Sequence, residues 1–195
     1  MNELVCGIDE AGRGALAGPV YAAAVVLPPS FDLSVLDDSK KLSAKKREQA
    51  RVYILQQALY WHIGWVPAEQ IDAINILQAT LRAMSIAFEG VLQQHAADPR
   101  LAGCPLKLIV DGNQLPALPP GQEAVAEPKA DSRYPCVMAA SILAKTERDR
   151  RMCAYHLQYP VYRYDLHKGY GTELHRMLIK QHGFSPIQRH SFRVR

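Results

Sequence analysis

Apolar and polar positions divide the chain into short strands and longer helices. Leu4-Val5-Cys6-Gly7-Ile8 is an apolar run followed by two acids, and it reads as a buried strand ending at Asp9. Gly12, Gly14, Gly18 and Pro19 make the next stretch a loop. Val20 to Leu27 resumes the apolar pattern until Pro28-Pro29 ends it. The connection is too short for a helical crossover, so these two strands are expected to be antiparallel neighbours. Ser43 predicts an N-cap for a helix from Ala44 to about Tyr60, with Ile54, Leu55, Ala58 and Leu59 on one side. Trp61 to Val66 alternates as a third strand. Leu77, Leu81, Met84, Phe88, Val91 and Leu92 then recur at helical spacing between Asn75 and about His95. Leu106 to Val110 predicts a fourth strand ending at Asp111, and Gln122 to Glu127 a short fifth. Pro135 to Tyr155 reads as a helix whose Ala139, Ala140, Ser141 and Ala144 permit close approach to a sheet. Thr172 caps a last helix that Gly183 ends. The element order is that of a mixed α/β layer, not an all-parallel one.

Composition changes this picture little. At 195 residues with 48% hydrophobic positions, one domain with a real core is expected. A net charge of +4 fits a polyanionic partner without demanding one. Cys6, Cys104, Cys136 and Cys153 form no CxxC and no zinc spacing, which favours reduced thiols. No apolar run approaches the ~20 residues of a membrane helix. The first residues lack a basic region followed by an apolar signal core, so a cytoplasmic location is expected.

The chemistry lies at the strand ends. Asp9 and Asp111 each close an apolar run. On adjacent strands their carboxylates would leave the same sheet edge, where each desolvates and repels the other unless a cation sits between them. An all-oxygen donor set predicts a hard divalent ion, Mg²⁺ or Mn²⁺. Strand alternation sends Glu10 to the opposite face, so its side chain shares that site only if the strand ends between Asp9 and Glu10, and its backbone carbonyl is the alternative ligand. Gly12-Arg13-Gly14 follows the acid pair, and its glycines would let backbone amides approach phosphate or sugar oxygens. Lys40 sits in a loop before the Ser43 cap, where a phosphate contact is expected. Lys45, Lys46 and Arg47 oppose the helix dipole, and phosphate binding would explain that cost. Lys145, Arg148, Arg150 and Arg151 alternate with Glu147 and Asp149 and read as a solvated helix face. Tyr170, between two glycines in His167-Lys168-Gly169-Tyr170-Gly171-Thr172, is expected to be exposed and able to pack on bases or sugars. Arg189 to Arg193 is either a phosphate contact or a polar tail anchored by Phe192.

Five motifs together resemble ribonuclease HII, the type 2 ribonuclease H family. Val5-Cys6-Gly7-Ile8-Asp9-Glu10-Ala11-Gly12-Arg13-Gly14 matches its opening motif and Asp38-Ser39-Lys40-Lys41-Leu42-Ser43 its second. Leu108-Ile109-Val110-Asp111-Gly112 matches the third. Lys129-Ala130-Asp131-Ser132 with the following Ala139 to Asp149 segment matches the fourth, and His167 to Thr172 the fifth. Gln188-Arg189-His190-Ser191-Phe192 departs from the usual His-Arg-Arg-Ser-Phe type of run.

The resemblance implies a ribonuclease H-like fold: a mixed five-stranded sheet flanked by helices, in one domain over 1–195. It also implies a small helical C-terminal part from about residue 156 that completes the substrate groove. It adds Asp131 to Asp9, Glu10 and Asp111 as catalytic and metal-binding carboxylates. The implied activity is hydrolysis of the RNA strand of RNA–DNA hybrids and incision at ribonucleotides embedded in duplex DNA. The implied products carry 3′-hydroxyl and 5′-phosphate ends, made with two divalent cations, and the process served is ribonucleotide excision repair. Gly12, Arg13, Gly14, Lys40 and Tyr170 would bind substrate, with Tyr170 packing on a deoxyribose. A monomer without a membrane partner is expected. A ribonuclease H-like DNA nuclease or strand transferase would also use clustered carboxylates. A non-enzymatic hybrid-binding module would not need them.

Overall fold

The computed structural model describes residues 3–36, 43–101 and 103–194. Five strands form one mixed sheet: β1 (Leu4–Ala11), β2 (Val20–Val26), β3 (Tyr60–Val66), β4 (Leu106–Asp111) and β5 (Ala124–Glu127), in the order β3-β2-β1-β4-β5. β1 is central. It runs antiparallel to β2 and parallel to β4, which puts the N-terminal strand between the meander and the parallel half.

Strand periodicity assigns each face a helix. Cys6, Ile8, Ala22 and Ala24 face α3 (Ile76–Ala96), which supplies Ala79, Ala83, Ala87 and Phe88. Ala11, Ala23 and Val25 face the other way, onto α1 (Ala44–Gln57) and α4 (Pro135–Gln158). The stripe of small residues on α4 lets its backbone come close to β1. At Gly7 a Cβ would overlap the backbone of Cys136 and Val137.

Most elements fall where the periodicity puts them, with clear differences at α1 and α2. α1 stops at Gln57 rather than at Tyr60, because Tyr60 is already paired with Val26 in the sheet. A short helix, α2 (Ala68–Ile74), precedes α3. The two are separated by Asn75 alone, whose φ of 67° breaks the helix while its side chain accepts from the Gln78 amide and caps the next one.

After α4 the chain forms α5 (Tyr164–His167) and α6 (Glu173–His182) around a separate small core of Ala17, Met152, Tyr162, Tyr164 and Ile187. Thr172 caps α6 and Gly183 ends it. The last segment returns to α2, where Asp72 accepts from the amides of His190 (2.8 Å) and Ser191 (2.9 Å). Among the described residues, no helix is long and apolar enough to cross a membrane.

Candidate active site

Parallel pairing of β1 with β4 sets Ile8 opposite Val110, so the next residues, Asp9 and Asp111, leave the same sheet edge side by side. Asp9 points toward α4, where the Ser141 hydroxyl hydrogen-bonds it. Asp111 Oδ1 accepts from the Ala130 amide at 2.8 Å. That bond draws a 3-10 turn, Ala130–Ser132, across the end of β4 after Lys129 turns at a φ of 61°. Asp131 sits on this turn. One carboxylate oxygen from each of Asp9, Asp111 and Asp131 lies within 4.8 Å of the other two.

Glu10 is placed differently. The strand does not end between Asp9 and Glu10 but runs on to Ala11, so the two side chains leave opposite faces. Glu10 pairs with Arg13 at 3.3 Å and lines the cleft without joining the three converging oxygens. The cleft has a volume of about 460 Å³, and its walls include Gly12, Arg13, Arg47, Ser141, Lys145 and Tyr170. Neither Ser141 nor Arg47 was singled out from sequence as a cleft residue. Ser141 interrupts a run of alanines facing β1, which is the one local sign that it has a polar partner there.

The electrostatics fit a cation. Asp9 is only 6% exposed, and burial pushes its carboxyl well above the usual carboxylate range. The neighbouring charges of Glu10 and Asp111 push the same way, and the Ser141 hydrogen bond opposes them. Burial also raises Glu10, against the lowering effect of Arg13. Lys145 does not neutralise the cluster, because its ammonium pairs with Asp149 at 2.8 Å. Three oxygens this close, one of them desolvated, suit a hard divalent ion.

Several basic and aromatic residues differ from the sequence expectation. Arg148 is not on a solvated face. It is fully buried and donates to the carbonyls of Pro19, Lys168 and Ala17 at 2.9, 2.9 and 3.2 Å. Arg189 is neither a phosphate contact nor part of a polar tail. It too is fully buried, donating to Gly18, Arg13 and Ala15 carbonyls. Gly12, at a φ of 102°, has no room for a Cβ, which would run into the Arg148 side chain. A Cβ on Gly14 would meet only open space. Tyr170 is half-buried rather than exposed, with Lys145 Nζ 5.4 Å and the Arg148 guanidinium 5.1 Å from its ring centre. Lys45 and Lys46 are exposed at the start of α1. Lys40, with the rest of its motif from Asp38 to Leu42, lies outside the described residues.

Two stacked histidines hold the Tyr170 turn, with ring centres 4.2 Å apart. His167 Nδ1 accepts from the Gly169 amide, so its Nε2–H donates to the Tyr162 carbonyl and the ring is neutral. His175 Nδ1 donates to the Tyr170 carbonyl at 3.0 Å. Burial, helped by the adjacent His167, pushes His175 down to about 4, and burial lowers His167 as well. The unfolded chain takes up these protons near pH 6.5. Their neutral stacking therefore contributes full stability above pH 6.5 and loses it as pH falls toward 4. The unfolding midpoint, followed by circular dichroism, is expected to drop between pH 7 and pH 5. Each kcal/mol lost lowers it by roughly 2–4 °C. His175→Gln is expected to show a smaller drop, and an equal drop would rule out this origin.

A family model described as Ribonuclease HII matches residues 6–195. The chain belongs to the ribonuclease HII family. It is 52% identical to a Ribonuclease HII of Treponema denticola over 98% of this chain and 99% of that one. The solved ribonuclease H2 of Pyrococcus horikoshii OT3 is 27% identical, with a TM-score of 0.72 over 98% of this chain and 94% of that one. The RNase HII of Archaeoglobus fulgidus, solved as a PCNA:RNase HII complex, is 28% identical with a TM-score of 0.69, over 98% of this chain and 96% of that one. Family membership makes this protein a metal-dependent endonuclease of the ribonuclease H type, acting on RNA–DNA hybrids. The mixed five-stranded sheet and its flanking helices are those of the ribonuclease H fold.

Proposed function

We propose that the acid cluster cleaves RNA in RNA–DNA hybrids and also incises duplex DNA at single embedded ribonucleotides, leaving 3′-hydroxyl and 5′-phosphate ends. The observation that carries this reading is the convergence of Asp9, Asp111 and Asp131 beside a cleft that Gly12, Arg13 and Tyr170 also line. Asp9, Asp111 and Asp131 would hold divalent cations, Mg²⁺ or Mn²⁺. Glu10 would complete the set by turning from Arg13. Two such ions, when bound, would supply a water of lowered pKa and charge stabilisation for the leaving 3′ oxygen. The chain's own groups do the rest. Ser141 orients Asp9, the Ala130 amide orients Asp111, and Lys145 and Arg47 offer positive charge to the phosphate backbone. The residues from about 156 onward form the opposite wall of the groove. Lys40 serves as a further phosphate contact, and the protein acts as a monomer in the cytoplasm.

Selectivity requires reading the 2′-hydroxyl, the group that marks one ribose in DNA. Backbone groups of Gly12-Arg13-Gly14 read it, and the Tyr170 ring packs on the deoxyribose beyond the junction. The test is cleavage of a DNA duplex carrying one ribonucleotide, in Mg²⁺, Mn²⁺ or EDTA, beside an all-DNA duplex. Cutting with either metal but not with EDTA, and only of the ribonucleotide strand, is expected; equal cutting of all-DNA duplex would favour a general DNA nuclease. In the same assay Tyr170→Ala is expected to lose about 5- to 150-fold, the 1–3 kcal/mol of a stacking contact. Wild-type cutting by Tyr170→Ala would remove the tyrosine from the substrate.

A further inference from the structure

Arg148 and Arg189 are the two largest fully buried side chains, and among the described residues neither pairs with a carboxylate. Burying a cation is costly unless its donors are satisfied. Here backbone carbonyls satisfy most of them, and Arg189 Nη2 is left buried without a partner among the described residues. Arg189 takes the carbonyls of Arg13, Ala15 and Gly18, its own amide takes Leu16, and Arg148 takes Ala17 and Pro19. Almost every carbonyl of the loop that follows Gly12 is thus turned inward.

Two consequences follow from peptide geometry. In a trans peptide the carbonyl and the next amide point in opposite directions. Turning the Arg13 carbonyl to Arg189 therefore aims the Gly14 amide away from the arginine, on the residue where a Cβ would meet open space. Arg148 also bridges segments, since it holds Ala17 and Pro19 on one side and the Lys168 carbonyl on the other. Its guanidinium meanwhile stacks on Tyr170. One side chain thus ties the far end of the Gly12–Pro19 loop to the turn that carries Tyr170.

We infer that Arg148 and Arg189 are specificity-determining positioning residues, which fix the spacing between the Gly12–Pro19 loop and Tyr170 and so set the discrimination of a ribose–deoxyribose junction. The inference rests on the reading of that loop as the ribose contact. Neither arginine touches substrate or the carboxylates. A junction substrate needs both contacts at one fixed separation. A continuous hybrid offers a ribose at every step and tolerates a shifted loop.

The test compares kcat/KM on a single-ribonucleotide duplex with kcat/KM on a uniform RNA–DNA hybrid. Arg148→Lys keeps the charge but loses the fork that reaches three carbonyls. It is expected to lose about 10- to 100-fold on the junction substrate, the scale of an ångström-sized misplacement, and much less on the hybrid. A folded Arg148→Lys protein with an unchanged ratio overturns the inference. Should that variant not fold, Arg189→Lys is scored in the same way. Should neither fold, nitrogen-15 NMR of the wild-type protein decides. Slow solvent exchange of both arginine Nε–H groups, with the Gly14 amide shifting on binding the junction duplex, is the expected result; exchange at the rate of exposed arginines overturns the inference. Gly14→Ala separates the two possible failures. An unchanged ratio in Gly14→Ala overturns the reading of the loop. A changed ratio there, with an unchanged ratio in Arg148→Lys, overturns the role of the arginines alone.

Discussion

Asp111→Asn is expected to yield a folded protein that binds an RNA–DNA hybrid and does not cut it. The folded part of this expectation comes from the Ala130 amide, which donates to Asp111 Oδ1 at 2.8 Å. An asparagine keeps an oxygen there, so the turn carrying Asp131 stays in place. What is lost is one negative charge among three convergent carboxylates. The several kcal/mol of charge stabilisation supplied by a bound cation would go with it, about 10³-fold in rate. Single-turnover cleavage in Mg²⁺ together with a hybrid-binding titration checks both halves. Turnover near the wild-type rate would remove Asp111 from the chemistry. A companion measurement follows from the raised Asp9 carboxyl. Desolvation and like charges oppose its ionised form, so Mg²⁺ is expected to raise the unfolding midpoint of the wild type and to do so far less in Asp111→Asn.

Gly7→Ala is expected to be strongly destabilising for a single added methyl group. Gly7 lies mid-strand in β1, and its added Cβ would overlap the backbone of Cys136 and Val137, not a side chain that could swing aside. β1 and the start of α4 would have to part. Overpacking of this kind costs about 3 kcal/mol, which for a chain of this size lowers the midpoint by roughly 6–12 °C. The damage also reaches the chemistry, because β1 carries Asp9 and α4 carries Ser141, which bonds to it. Calorimetry with and without Mg²⁺ would show both a lower midpoint and a smaller metal-induced rise. An unchanged midpoint would mean that the β1–α4 contact is looser than described.

The sheet and its major helices were legible because each buries a face, and burial leaves a period in the sequence. Asp9 and Asp111 were legible for a related reason, since an acid directly after a buried run stands out. Asp131 had no such signal beyond the family motif. Its position depends on a 3-10 turn after a left-handed Lys129, and on a bond from Ala130 to a residue on another strand. Arg148 was misread because a charged run on a helix ordinarily faces water. Its partners, the carbonyls of Ala17 and Pro19, lie more than a hundred positions earlier in the chain. α2 was missed because the single residue Asn75 both ends it and begins α3. Glu10 was the conditional case, and the condition, a strand break beside it, is not met, so its side chain pairs with Arg13 instead.

The pairing of β1 with β4 carries one more implication, for the chain as it is being made. Asp9 is synthesised about a hundred residues before Asp111 and Asp131, and most of α4 follows later still. β1, β2, β3 and α3 can assemble as a local unit, but the contact that brings the carboxylates together closes a long loop and comes late. A partly synthesised chain therefore holds no assembled carboxylate cluster, and metal binding at that cluster waits on the second half of the chain.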